Sequence, residues 1–286
     1  MEVYISDRFR KVVMLHVIKN KNMGDDFRAP LILGIHGNAG DGKTYQCHKI
    51  LEAMRVTPFL ISGGELETHE AGNAAKLIRD TYLRASRSID TGESKAAAII
   101  INDIDAAIGD WGDLVQYTVN RQTVYSELMH LCDYPNIVQG FKTHKIPIVT
   151  TGNDFSKLYK PLIRSGRMTA FEWKPTDNER LEIVKNIFHE LSPSDVSSIM
   201  KRLEEIYRNT LPVSFYSALK SSCFDDILWG MIKENPYMAF QSINSSRKNL
   251  SVNLSISLEL VVNTGIDMIE NSSFTNHLTT GGVKNG

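Results

Sequence analysis

Long apolar runs are missing from this sequence. The longest, Ala96–Ile101, falls far short of the roughly 20 residues that a helical membrane span needs. Cysteine is scarce, with only Cys47, Cys132 and Cys223, far apart and without CxxC spacing. A disulfide framework and a thiolate zinc site are therefore not expected, and reduced, buried thiols are. The eight histidines show no HExxH or other paired-ligand spacing. Charge of one sign is also lacking: 32 Lys+Arg against 33 Asp+Glu leaves a net charge of −1. No overall field draws in nucleic acid or an anionic membrane, so neither is expected as a partner, and only local patches could do so. The opening MEVYISDRFRKVV has an early acid, no signal-peptide core and no Arg/Ser-rich transit character. The chain is expected to act where it is made, or to have lost a presequence.

What is present is ordinary globular composition: 286 residues, 42% hydrophobic and 23% charged. That length suits one large domain or two small ones and is ample for a core. Residues 1–29 read as an N-terminal helix and linker. Five short apolar runs follow, Leu31–His36, Pro58–Ser62, Ala96–Ile101, Ile146–Thr151 and Thr169–Trp173, each bounded by turn residues. Runs of that kind suit buried parallel strands. Between them, Ala74, Leu77, Ile78, Tyr82, Ala85 and Ile89 recur at helical spacing, and Val119–Leu131 does so less cleanly. Alternation of this kind over 30–175 predicts an α/β domain with a helix-covered parallel sheet. After Pro175 the pattern turns all-helical. Thr176–Glu179 and Ser192–Asp195 are helix starts, and Pro212–Ile232 and Leu250–Ile269 read as helices. A helical lid is expected over 176–271, and a polar tail over 272–286.

Gly37-Asn38-Ala39-Gly40-Asp41-Gly42-Lys43-Thr44 fits GxxxxGK[ST] between a predicted strand and a predicted helix. Glycines let backbone N–H groups face phosphate oxygens, and the helix N-terminus adds its positive dipole end. Lys43 is expected on the β/γ-phosphates and Thr44 on Mg²⁺. The alternative is a chance glycine-rich turn. No NKxD motif follows, which disfavours GTP and leaves ATP.

The strand at Ile99–Ile101 ends in Asn102-Asp103-Ile104-Asp105, a Walker-B-like tip. Many AAA+ ATPases place Asp-Glu here, one for the Mg²⁺ shell and one to polarise water. Asn102 brings no charge and Asp103 is a methylene short of Glu, so modest turnover is expected. Asn153, ending the next strand, sits where sensor 1 would contact the γ-phosphate or the attacking water; a turn Asn is the plainer reading. Arg164 and Arg167 lie on a predicted exposed turn. They are either surface arginines or a finger acting on a neighbour's nucleotide in a ring.

The runs PLILGIHGNAGDGKTYQCHKI, ISGGELETHEAGNAAKLIRDTY, IINDIDAAIGDWG, QYTVNRQ and TGNDFSKLYKPLIRSGRM together resemble Rubisco activase and the cyanobacterial activase-like proteins. The likeness is dense over 30–190. It implies a P-loop AAA+ parallel sheet with a C-terminal helical lid, assembled as a hexameric homo-oligomer. It further implies that ATP and Mg²⁺ drive remodelling of Rubisco, freeing tightly bound sugar phosphates. The expected compartment is the cyanobacterial cytosol or carboxysome, or the chloroplast stroma.

By that resemblance Lys43 and Thr44 form the Walker A pair, and Asn102, Asp103 and Asp105 the Walker B segment. Asn153 is sensor 1, and Arg164 with Arg167 the finger pair. Glu65, Leu66 and Glu67 open a first pore loop, Gly109–Tyr117 holds a second with Tyr117, and Phe141–Lys145 stands in a shortened third. On residues alone, the acids could equally form a solvated turn and Tyr117 could be a core aromatic. Lys220 occupies the sensor-2 place, where the family carries Arg; it keeps charge but loses the bidentate fork. A Rubisco-small-subunit-like domain and a redox-active cysteine extension, found in some members, are not present in this sequence. An AAA+ ATPase with another client and a nucleotide-gated Rubisco-binding scaffold are the competing readings, with small-molecule phosphotransfer more distant.

Overall fold

The computed structural model describes residues 3–22, 29–68, 70, 72–110, 118–234, 237 and 256–271. The chain divides into two compact units. One is Ile5–Lys174; the other holds the described residues from Pro175 onward, together with Val3 and Tyr4.

The first unit is built on a five-stranded sheet whose strands lie in the spatial order Thr57–Ser62, Ala97–Asn102, Ile148–Gly152, Ile32–His36, Met168–Glu172. Its strands are β1 (Ile32–His36), β2 (Thr57–Ser62), β3 (Ala97–Asn102), β6 (Ile148–Gly152) and β7 (Met168–Glu172). Every pairing is parallel. The three inner strands are buried almost continuously, whereas edge strands β2 and β7 are largely exposed. That contrast follows from the sequence: only strands covered on both faces can carry an unbroken run such as Ala97-Ala98-Ile99-Ile100-Ile101. The predicted strands match these to within a residue or two.

Helices flank the sheet. They are α1 (Asp7–Asn22), α2 (Lys43–Ala53), the short α3 (Gly63–Leu66), α4 (Asn73–Asp90), α5 (Ile104–Ile108), α6 (Thr118–Asp133) and the short α7 (Lys160–Ile163). Helix α4 buries Ala74, Ile78, Tyr82 and Ala85, the apolar stripe its spacing foretold. Helix α1 is built into this unit. It buries Phe9, Val13 and Val17, and Phe9 meets Trp173 edge-on at 5.0 Å. Each such side chain contributes about 1.5–3 kcal/mol. Polar struts complete the join: His16 Nε2 lies 3.1 Å from the Ile148 carbonyl, and Asn20 donates to the Pro30 carbonyl at 3.0 Å.

Phe141–Lys145, expected as a loop, begins instead as one arm of a small antiparallel hairpin, β4 (Ile137–Val138) with β5 (Phe141–Lys142). Its turn is Gln139 (φ 52) and Gly140 (φ 79). Two successive positive φ values are the type I′ geometry that matches strand twist, and Gln-Gly is a weak sequence signal for it.

The second unit is helical throughout its described residues: α8 (Asp177–Ile187), α9 (Pro193–Tyr207), α10 (Val213–Glu234) and α11 (Leu258–Glu270). Thr176 and Glu179 close a capping box on α8, and Ser192 caps α9 ahead of Pro193. Each cap is worth about 1 kcal/mol. The core packs Val184, Phe188, Ile199, Leu203, Phe215, Leu219 and Val261. Gly265 lets α11 approach α9 closely, since a Cβ there would stand 2.8 Å from Leu203 Cδ1. Buried Arg180 donates to the Glu204 carboxylate and, at 2.9 Å, to the Leu211 carbonyl.

Candidate nucleotide site

All strands of a parallel sheet point the same way, so loops at their C-terminal ends converge. Here the tips of β1, β3 and β6 bring together Gly37–Thr44, Asn102-Asp103 and Asn153. The loop after β1 needs its glycines. Gly37 has φ 145, and a Cβ there would sit 2.1 Å from the Trp173 carbonyl oxygen. Gly42 adopts φ 73 and caps α2 without a side chain, leaving the first N–H groups of the helix open to an anion.

Lys43 bends back across this loop. Its Nζ donates to the carbonyls of Gly37 (2.8 Å) and Asn38 (2.7 Å) and to Asn153 Oδ1 (3.1 Å). Burial pushes the ammonium pKa below its ordinary value, while Asp41, Asp103 and Asp105 oppose that push. The lysine is thus a desolvated cation in a ring of acceptors, suited to a phosphate's charge.

A chain of hydroxyls joins the elements. Thr44 Oγ1 is 3.1 Å from Thr151 Oγ1, which donates to Asn102 Oδ1 at 3.4 Å and accepts from Asp103 N–H at 3.4 Å. Asp103 itself has φ 50, a left-handed conformation costing a non-glycine residue about 1–2 kcal/mol. It leaves the Asp103 residue exposed at the strand tip, and strain of this kind concentrates at working sites.

Two further residues support these tips from behind. Asp105 is buried, and its Oδ2 accepts from the N–H groups of Asn153 (2.9 Å) and Asp154 (2.8 Å). Gly152 makes room for it: a Cβ there would stand 2.3 Å from Asp105 Oδ1. Trp173 continues from β7, donates N–H to the His36 carbonyl at 2.7 Å, and donates Nε1–H to the Asp41 carbonyl at 2.8 Å. The indole pins the phosphate loop from behind. Nothing local in the sequence signals this, because the two residues are joined only by the β1–β7 pairing. Thr151 was visible in the strand run, but its bridging role depends on the strand order.

Other expected residues lie elsewhere. Arg164 and Arg167 enter β7 beside Ile32, whose N–H donates to the Arg167 carbonyl. They are thus at the opposite end of the sheet from the phosphate loop, about 13 Å away at ~3.3 Å per residue. Arg167 is held by Asp133 (Nη2–Oδ2 2.8 Å) and the Pro161 carbonyl (3.1 Å), whereas Arg164 is exposed. Lys220 belongs to the helical unit, on α10, where it donates to Glu190 (2.7 Å) and the Ile187 carbonyl (2.6 Å). Of the first loop, Leu66 is a core residue. The Glu65 carboxylate closes a capping box on Ser62, and Glu67 is exposed. Tyr117 lies outside the described residues.

An oxygen-donor set of Thr44, Asn102 and Asp103, with phosphate oxygens supplying the rest, suits Mg²⁺, which takes few protein ligands. Among the described residues no cluster of three His, Cys, Asp or Glu competes as a metal site. Cys47 and Cys223 are buried and Cys132 is half-buried, and desolvation pushes the thiols of Cys47 and Cys132 up to about 12, away from thiolate reactivity.

This architecture, a P-loop sheet of order 2-3-6-1-7 followed by a helical unit, is that of the AAA class. Residues 33–176 match the family model of the ATPase family associated with various cellular activities (AAA), and the chain belongs to that family. It is, further, a homologue of ribulose bisphosphate carboxylase/oxygenase (Rubisco) activases. The one from Anabaena sp. is 41% identical over 255 residues, covering 86% of this chain and 60% of the relative. The chloroplastic activase of Chlamydomonas reinhardtii is 36% identical over 278 residues, covering 93% and 66%. Chloroplastic activase A of Hordeum vulgare is 41% identical over 229 residues, covering 78% and 48%. The chain therefore spans about half to two thirds of the length of these relatives.

Proposed function

We propose that this chain is a Mg-ATP-dependent motor that remodels Rubisco and releases inhibitory sugar phosphates from it. The observation that carries the nucleotide chemistry is the convergence of Lys43, Thr44, Asn102, Asp103 and Asn153 at three strand tips. The names of the relatives carry the client. Lys43 neutralises β/γ-phosphate charge, with the loop N–H groups cradling the oxygens. Thr44, Asn102 and Asp103 would hold Mg²⁺, which supplies further charge neutralisation when bound. Asp103 orients the attacking water and Asn153 contacts the γ-phosphate. Asn102 lacks charge and Asp103 is short, so turnover is modest.

Arg164 serves the neighbouring subunit's nucleotide in a homo-oligomeric, hexameric ring. Its place far from its own phosphate loop supports that role. Arg167, tied to Asp133, positions the turn. Lys220 acts as sensor 2 from the helical unit. Glu67 and Glu70, with Tyr117, form the client-facing loops. The compartment is the one its relatives' names suggest, a cyanobacterial cell interior or a chloroplast.

The test is reactivation of inhibitor-locked Rubisco from the same host with ATP, comparing wild type with Lys43→Ala and following ATP consumption in the same tube. Recovery with wild type alone is expected. ATP consumption without recovery would sink the Rubisco assignment and leave an AAA motor with another client. Recovery with Lys43→Ala would sink the motor and favour a scaffold.

A further inference from the structure

The segment between β2 and α4 carries the exposed acids Glu67 and Glu70, and it is fastened at both ends. At its start, Gly63 lies against the backbone of the β3 tip. A Cβ there would meet the Asp103 carbonyl oxygen at 2.7 Å and that of Asn102 at 3.1 Å. Any shift of the tip that reads the nucleotide is therefore felt at Gly63.

At its far end the segment is held by one side chain from a distant part of the chain. Asn120, in the first turn of α6, donates from Nδ2 to the Thr68 carbonyl and accepts from the Gly72 N–H at 3.2 Å. Helix α6 is in turn locked to α4 by the Arg79–Glu127 pair, bidentate at 3.1 and 2.5 Å with the glutamate buried. Two further bonds lie within the segment's described residues: Thr68 Oγ1 accepts from Glu70 N–H at 3.2 Å, and the Glu70 carboxylate from Asn73 Nδ2 at 2.5 Å. A carboxamide offers a donor and an acceptor side by side, which neither a carboxylate nor an alkyl group does.

We propose that Asn120 is a positioning residue that makes the acidic segment and α6 one body. A change at the Asn102–Asp103 tip is then carried to Glu67 and Glu70 rather than absorbed within the segment. This rests on the reading of Glu67 and Glu70 as client-facing. It also gives the QYTVNRQ run, which holds Asn120 and no nucleotide-site residue, a mechanical role.

The test uses the full chain with Asn120→Asp, which sets a carboxylate against the Thr68 carbonyl, and Gly72→Ala. The second variant strains the φ +85 turn from the other partner, with nothing within 4 Å of the new Cβ to clash. Amide exchange over 67–73 is measured with ADP and with a non-hydrolysable ATP analogue, and Rubisco reactivated per ATP consumed is measured alongside. Reactivation per ATP is normalised to active protein, and urea unfolding of each variant shows that exchange is read at a folded fraction matching wild type.

Expected are nucleotide-dependent exchange in wild type, loss of that dependence in both variants, ATP turnover within twofold, and at least a fivefold fall in Rubisco reactivated per ATP. Wild-type exchange indifferent to nucleotide overturns the proposal. So does exchange that stays nucleotide-dependent in both variants, or an unchanged coupling ratio despite looser exchange. If wild type reactivates no Rubisco, the client assignment fails. The exchange arm still decides the clamp, since it needs no client.

Discussion

Asp105 offers a direct test of how the site is held. The residue is 1% exposed, and its carboxylate accepts two backbone N–H groups, from Asn153 at 2.9 Å and Asp154 at 2.8 Å. Asp105→Ala strands both donors at a buried position. At about 1–3 kcal/mol per stranded group, the loss is about 4 kcal/mol. Asp105→Asn keeps an acceptor oxygen but removes the charge assistance, about 1 kcal/mol per bond, for a loss of about 2 kcal/mol. Urea unfolding should register both as lower midpoints at unchanged slope.

The same bond orients Asn153, so kcat for ATP should drop at least ~10-fold in Asp105→Ala, equivalent to ~1.4 kcal/mol. The nucleotide Kd should move less than about threefold, because the loop and Lys43 do not depend on Asp105 for their backbone. If Asp105→Ala loses under ~1 kcal/mol, the carboxylate is not the support described. If Kd collapses together with kcat, it supports the phosphate loop and not Asn153.

Burial lowers the His16 pKa from 6.5 to about 4. The unfolded chain therefore takes up a proton first, and stability should fall by about 3 kcal/mol as pH drops from 6.5 to 4; His16→Gln should flatten that slope in unfolding experiments across the range. Trp173→Phe removes the indole donor to the Asp41 carbonyl and should cost about 1–3 kcal/mol while weakening nucleotide binding several-fold by calorimetry; an unchanged Kd would show that the loop holds its shape unaided. Arg164→Ala should bind ATP yet hydrolyse it poorly alone. Mixed with Lys43→Ala it should regain turnover, since some interfaces then pair an intact loop with an intact arginine, and no recovery on mixing would refute action between subunits.

The sequence made the skeleton of the site legible because each part has a local signature. Glycines before Lys43-Thr44, an apolar run ending in Asn102-Asp103, and another ending in Gly152-Asn153 all announce strand tips. It could not show what supports those tips. Asp105, Thr151 and Trp173 act through contacts set by strand order, and no local pattern encodes which strands are neighbours. Leu66 illustrates the reverse error: it sits in a run of acids that reads as an exposed loop, but the capping box at Ser62–Glu65 folds that stretch into a turn of helix and drives Leu66 into the core. The hairpin at Ile137–Lys142 was hidden because its turn relies on Gln139 taking a positive φ, which its residue type does not advertise.

Strand polarity carries one step further. Because β1 and β7 run parallel and in register from Ile32–Met168 to His36–Glu172, whatever enters β7 is held a full strand length from whatever leaves β1. Arg164 and the phosphate loop are fixed at those two ends. Arg167, bound to Asp133 and the Pro161 carbonyl, keeps the turn from swinging across. No rotamer of an arginine brings a guanidinium over that distance and around the sheet edge. Arg164 therefore cannot reach the phosphate loop of its own chain. In the proposed ring, a second copy would present its β7 turn to the first copy's loop. On this argument turnover per chain should rise steeply with protein concentration, and a turnover independent of concentration down to high dilution would mean that the arginine is not part of the site.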